Sequence, residues 1–404
     1  MVMKKVSPLD SQDNTGLNTP KEQPTVSNLS PLTKAENQPS SNDEKVVKTI
    51  QTDSMKMLDL LEETIRHDAS DLHITVGYPI YLRVDGSLKK LGSEIITGKR
   101  AKDLIYEILD DEKKELLEVN KEVDLSYSHE GKARFRINAY HERGNLAAAF
   151  RLIPNKIRSI EELYLPKILN EFTQLPQGLV LVVGPTGHGK STSLAAMIQE
   201  INVRDPRHIV TIEDPIEYIY TPAMSLVDQR ELHQDTHSWE IALRNILRQD
   251  PDVILVGEMR DFETIAATIT GAETGHLVFA TLHTNSASQS IDRIIDVFPE
   301  HQQSQIRMQL ANVIEGVISQ RLVPVIGGGR RVACEVLVGT SAVRNAIRED
   351  KTYQIDNIIQ TSADVGMITL ERSLVDLVRE GKITLEEAQN NTTKPEEVLR
   401  LVRK

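Results

Sequence analysis

At 404 residues the chain is long enough for two folded domains and a tail, and its 39% apolar and 26% charged content is ordinary for a soluble globular protein. Its formal net charge of −12 argues against non-specific nucleic-acid binding, which draws on a basic footprint. The single cysteine, Cys334, excludes an internal disulfide and a zinc site of paired cysteines.

Residues 1–53 contain five prolines (Pro8, Pro20, Pro24, Pro31 and Pro39) and no aromatic residue, and Ser, Thr, Asn and Gln fill most of the remainder. Such a segment buries too little apolar surface to offset its ordering entropy and reads as a disordered tail. The basic start at residues 1–5 is followed by no apolar run, so no signal peptide is expected. No stretch approaches the ~20 apolar residues of a membrane helix, which points to a cytoplasmic protein.

Residues 54–153 read as an α+β module. Met57, Leu58, Leu60, Leu61 and Ile65 have helical spacing. Short alternating runs follow at 71–76 and 79–84, the second ending at the turn Asp85-Gly86, and a charged helix covers roughly 99–120. Strands are expected at 134–140 and 146–152, with Gly144-Asn145 as the hairpin turn. On the first of these, Arg134 and Arg136 share one face while Phe135 and Ile137 share the other; Arg151 ends the second. Arginines held on rigid strands suit stabilisation of transition-state charge, but they suit a solvated strand face equally well.

Residues 154–340 alternate strands (179–183, 209–212, 253–256 and 277–281) with helices, the pattern of a mostly parallel sheet covered on both faces. Cys334 falls in the apolar run 332–338 and reads as a small buried core residue. Residues 341–404 read as a helical C-terminal region. Residues 369–378 repeat with a helical period, and Thr384 heads a capped helix start. The fold class is therefore α/β.

Gly184-Pro185-Thr186-Gly187-His188-Gly189-Lys190-Ser191 matches the pattern G-x-x-x-x-G-K-[ST], followed by Thr192. Its glycines let backbone N–H groups cradle phosphate oxygens. Lys190 supplies positive charge to the β- and γ-phosphates, and Ser191 can place its hydroxyl on Mg²⁺. The apolar run before it and the helical run after it are the required context. This predicts ATP and Mg²⁺ as ligands. Residues 252–256 form a second apolar strand that ends in Gly257-Glu258, where a carboxylate can activate the attacking water. Gly257 stands where a magnesium-side Asp is usual, so Glu213-Asp214, at the end of 209–212, becomes the candidate for that duty. His276 and His283 bracket the strand 277–281 and are candidate γ-phosphate sensors; a surface role is the alternative.

From about residue 55 to its end, the chain resembles the secretion-type hexameric ATPases, and within them the PilT-type retraction ATPases of type IV pili. The resemblance rests on the phosphate loop, on Thr211-Ile212-Glu213-Asp214-Pro215-Ile216-Glu217-Tyr218, on 250–261, and on Gly275-His276 through His283-Thr284. Ala69-Ser70-Asp71-Leu72-His73 and Val84-Asp85-Gly86 extend it to the N-terminal module. It implies a PAS-like N-terminal domain (54–153), a RecA-like ATPase domain (154–340) and a helical C-terminal region (341–404). It also implies a homohexamer, peripheral at the cytoplasmic face of the inner membrane, acting on a pilus platform protein and powering retraction and twitching motility. By family match Arg136 and Arg151 face phosphate, and Glu258 is the catalytic glutamate. The stretch Ala342-Val343-Arg344-Asn345-Ala346-Ile347-Arg348-Glu349 corresponds to an output helix, and one cysteine cannot build the zinc insertion of assembly ATPases.

Three readings compete with that one: an accessory retraction ATPase, a nucleic-acid-translocating or other secretion ring, and a nucleotide-gated scaffold without useful hydrolysis. Acidity weighs against the nucleic-acid motor, and intact Lys190 and Glu258 weigh against the scaffold. Because Arg136 lies far ahead of the phosphate loop in sequence, it is expected to act on a neighbouring subunit's nucleotide.

Overall fold

The computed structural model describes residues 52, 54–84, 86–129, 133–153 and 156–403. Apart from Thr52, the expected disordered tail lies outside the described residues. The chain then builds α1 (Met57–Arg66), β1 (Asp71–Ile74), β2 (Tyr81–Val84), β3 (Ser87–Lys90), α2 (Gly98–Tyr106), α3 (Asp111–Asn120), β4 (Glu122–His129), β5 (Ala133–Glu142) and β6 (Asn145–Ile153). The six strands form one antiparallel sheet in the order β3-β2-β1-β6-β5-β4. Period-two alternation explains its two faces: Phe135, Ile137 and Ala139 are buried against α1 and α2, while Arg134, Arg136 and Asn138 project from the opposite side.

Two local expectations are corrected here. The charged helix over 99–120 is two helices, because the Asp110 side chain accepts the Lys113 N–H at 2.8 Å and starts α3 afresh. The hairpin turn is Arg143-Gly144, both with positive φ (50° and 78°), and Asn145 already pairs with Glu142 in the ladder.

After the short α4 (Ile168–Phe172) come β7 (Gly178–Val183), α5 (Lys190–Arg204), β8 (His208–Glu213), β9 (Leu226–Glu231), α6 (Trp239–Ile246), β10 (Val253–Val256), α7 (Phe262–Glu273), β11 (Leu277–Leu282), α8 (Ala287–Asp296), α9 (Glu300–Val313), β12 (Ile314–Pro324) and β13 (Arg330–Val338). These strands order as β13-β12-β7-β11-β10-β8-β9, parallel throughout except for β13. Every residue of β7, β10 and β11 is buried, as a sheet covered on both faces requires. Leu179, Leu181 and Val183 pack into one core with α6 to α9, and Val180 and Val182 pack into the other with α5. Cys334 is buried in that second core, where burial pushes its thiol up to about 12.

The C-terminal helices are α10 (Ser341–Arg348), α11 (Ile355–Thr361), α12 (Leu370–Arg379), α13 (Leu385–Asn390) and α14 (Pro395–Val402). Thr369 and Thr384 cap α12 and α13 through their hydroxyls. Leu374, Val375, Ala388 and Val398 close a small core over Val323 and Ala333. Among the described residues no helix is long and apolar enough to cross a membrane.

Candidate functional site

The buried strand β7 delivers the chain to the phosphate loop at the carboxyl edge of the parallel sheet, where doubly wound folds bind their ligands. Gly187 and Gly189 turn the loop with left-handed φ of 79° and 84°, and α5 begins at Lys190. At Gly184 an added Cβ would stand 2.5 Å from the Gln320 carbonyl oxygen, so only glycine fits against β12. Lys190 Nζ donates to the carbonyls of Gly184 (2.9 Å) and Pro185 (3.2 Å) and stands 3.4 Å from His283 Nδ1. Burial lowers its pKa, with Glu258 and Glu217 opposing the shift. The Thr192 hydroxyl lies 2.9 Å from the Tyr218 hydroxyl. Ser191 and Thr186 line the same cleft.

Four acids, Glu213, Asp214, Glu217 and Glu258, line the cleft with that loop. Glu258 follows β10, with Oε1 3.0 Å from His283 Nε2 and Oε2 accepting from Arg260 at 2.7 Å. Burial alone would raise its carboxyl pKa; Arg260, His283 and Lys190 outweigh burial and hold it below the ordinary carboxylate value. Gly257 before it has a steric cause, since a Cβ there would come within 3.1 Å of the Ile212 carbonyl oxygen on β8. Glu213 ends β8 and is 9% exposed. It accepts from Thr211 Oγ1 (2.8 Å), Gln229 Nε2 (3.3 Å) and the Glu217 N–H (3.4 Å). Burial pushes its carboxyl up to about 7, and those neutral donors offset the push only in part.

Arg136 and Arg151 are cross-strand neighbours in the β5–β6 ladder. They line a cleft of about 720 Å³ together with Lys190, Ser191, Glu213 and Glu258. Arg151 Nε also lies 3.0 Å from Asp71 Oδ1. Arg134 is engaged elsewhere, its guanidinium paired with Glu231, a buried acid on β9. The Glu231 carboxylate also accepts the Ser126 hydroxyl (2.8 Å) and the Ile216 N–H (3.1 Å). This joint fastens the antiparallel sheet beside the parallel one, and Arg136 lines the cleft of its own chain.

His276 lies apart from the phosphate loop. It sits at the amino end of β11, with Nδ1 2.9 Å from the Gly271 carbonyl oxygen, a strand length of about 20 Å from His283. His283 alone reaches the phosphate loop and Glu258. Sequence reading missed Arg158, Arg260, Arg330, Trp239 and Tyr218, which also line the cleft. Arg260 had a readable signal, standing two residues beyond Glu258.

In α10 the Arg344 guanidinium donates to the carbonyls of Gly339 (2.8 Å), Ala311 (3.1 Å) and Asn312 (2.6 Å), and to Glu315 Oε1 (2.6 Å). It therefore pins α10 to the α9–β12 junction, where the sequence suggested a residue devoted to output. Arg344→Ala is expected to lower the unfolding free energy by about 2–3 kcal/mol, seen as an earlier urea midpoint. An unchanged midpoint would return Arg344 to a purely external role.

Comparison with known proteins places these features. The family described as Type II/IV secretion system protein matches residues 49–328. The chain is 46% identical over 342 residues to the type IV pilus retraction ATPase PilT of Pseudomonas aeruginosa, covering 85% of this chain and 99% of that one. It is 46% identical to a twitching motility protein of Neisseria gonorrhoeae over 78% of this chain and 84% of that protein. It is 38% identical to the type IV pilus ATPase PilU of P. aeruginosa over 83% of this chain and 88% of that protein. Among solved structures, the pilus retraction motor PilT with bound ADP superposes with a TM-score of 0.81 at 45% identity, covering 86% of this chain and 99% of that one.

Proposed function

We infer that this chain, which belongs to the Type II/IV secretion system protein family, is an ATP-hydrolysing motor that powers type IV pilus retraction. One observation carries the chemistry: Lys190, His283, Glu258 and Arg260 form a continuous polar chain at the sheet's carboxyl edge, in a cleft whose opposite wall bears Arg136 and Arg151. The higher identity to PilT (46%) than to PilU (38%) favours the main retraction ATPase over the accessory one.

The phosphate loop and the α5 amino end bind the triphosphate, and Lys190 exchanges its loop carbonyls for phosphate oxygens. Glu258, held ionised by its cationic neighbours, accepts the proton of the attacking water, and His283 and Arg260 fix its orientation. Arg136 and Arg151 gather the charge that spreads over the γ-phosphate oxygens. Mg²⁺ would be held by the Ser191 hydroxyl and the Glu213 carboxylate, and it would neutralise phosphate charge when bound. The fit is supported by Glu213 itself, a buried carboxyl whose protein partners are all neutral donors and whose ionised form lacks a counter-charge.

Residues 54–153 are read as a PAS-like domain, 154–340 as a RecA-like domain and 341–404 as a helical C-terminal region. The protein acts as a homohexamer in the cytoplasm, at the inner membrane, against a pilus platform protein. The test is turnover by the purified full chain. ATP hydrolysis should require Mg²⁺ and be indifferent to DNA; stimulation by DNA would support a nucleic-acid motor instead. Glu213→Gln is expected to raise the Mg²⁺ concentration for half-maximal turnover about tenfold or more. An unchanged Mg²⁺ requirement would remove Glu213 from the metal site.

A further inference from the structure

The phosphate loop is tied to the sheet by a side chain that the G-x-x-x-x-G-K-[ST] pattern leaves free. His188 is the fifth loop residue, and it is half-buried beside β12. Its Nδ1 accepts the Leu322 backbone N–H at 3.0 Å. Its carbonyl accepts from the Gln320 side chain at 2.8 Å, and Gln320 is 1% exposed. These two bonds grip one residue from both ends, and both come from β12. The same stretch of β12 closes against the hinges of the loop: a Cβ at Gly184 would meet Gln320 O at 2.5 Å, and one at Gly189 would meet Leu322 Cδ1 at 3.3 Å. The loop glycines give it freedom, and β12 takes that freedom away.

We propose that His188 is a positioning residue for nucleotide binding, whose imidazole latches the phosphate loop onto β12 in its neutral form and releases it when protonated. The tautomer follows from the bond. An N–H arrives at Nδ1, so the ring proton must sit on Nε2, and a second proton has only Nδ1 to occupy. Protonation there sets N–H against N–H and breaks the latch. The charged groups that face the ring are Arg321 on β12, Arg330 on β13 and Lys190 on α5, all cationic. Burial first, and then these cations, hold the imidazole below its ordinary pKa, so the latch is closed at neutral pH and opens only in acid. A loose loop presents its N–H groups in many arrangements. Its ordering then has to be met at the moment of binding, and affinity falls.

The proposal rests on the nucleotide-binding reading, and one experiment separates the two. ADP affinity is measured on the full chain at pH 7.5 and pH 5.0 for wild type, His188→Ala and His188→Asn. Asn places a non-titrating acceptor, Oδ1, near the position of Nδ1 and can take the Leu322 N–H. At pH 7.5 His188→Ala should bind ADP about 2- to 10-fold more weakly than wild type, and His188→Asn should recover most of that loss. As the pH falls to 5.0 wild type should lose more affinity than His188→Asn does over the same interval. Equal affinity of wild type and His188→Ala at pH 7.5 overturns the latch. An Asn variant as weak as Ala overturns the hydrogen bond as its cause, and parallel pH profiles for wild type and Asn overturn the acid release. Failure of wild type to bind ADP at all would instead sink the nucleotide reading.

Discussion

Arg136→Ala is expected to lower ATP turnover by roughly 10³-fold while ATP binding changes far less, because its guanidinium serves the charge that develops on the transferring phosphoryl group. A planar fork can bridge two phosphate oxygens, which an ammonium cannot copy, so Arg136→Lys should recover little. We propose that Arg136 serves the nucleotide of its own chain, whose cleft it lines. Arg134 and Glu231 lock the strand that carries Arg136 over the cleft of the same chain. Mixing Lys190→Ala with Arg136→Ala subunits, after verified exchange, should therefore restore no activity, since no subunit then holds both groups. Partial recovery in mixed rings would place the working arginine on the neighbour.

Glu258→Gln should hydrolyse ATP at least ~100-fold more slowly and still bind it. The amide keeps the volume and can keep one bond to Arg260 or His283, but it cannot take a proton from water. Burial opposes ionisation of Glu258, whereas Arg260, His283 and Lys190 favour it and prevail. Glu213, buried among neutral donors, goes the other way, to about 7. Two carboxyls on one cleft are thus pushed apart in acidity by their surroundings, and only Glu258 is poised as a base through the neutral range. Unchanged turnover in Glu258→Gln would move the base to Glu213.

The phosphate loop, the acids at the ends of β8 and β10, and the buried strands between them were legible in the sequence because each is a local pattern. The loop is fixed by glycine spacing, and the parallel strands are uninterrupted apolar runs. The chain hid features that depend on contacts distant in sequence. β9 reads Leu226-Val227-Asp228-Gln229-Arg230-Glu231, a polar edge strand with no run to betray it, yet its Glu231 anchors the strand that carries Arg136. β12 carries Gly316, Gln320 and Arg321 among its apolar residues and forms the floor of the phosphate loop. His276 and His283 look equivalent as a bracketing pair, but only the carboxyl end of a parallel strand meets the ligand, so His276 is left on the far side. Arg344 matched an output motif and proves to be occupied by three backbone carbonyls and Glu315. The segment 1–51 lies outside the described residues, and its role was not readable from composition.

If ATP hydrolysis by this chain drives retraction, surface pili report on it directly. Cells lacking the protein should carry more and longer pili and lose twitching. Restoring the wild-type chain should reverse both effects, and restoring Glu258→Gln should reverse neither. Bald cells on removal of the protein would instead assign the motor to pilus assembly.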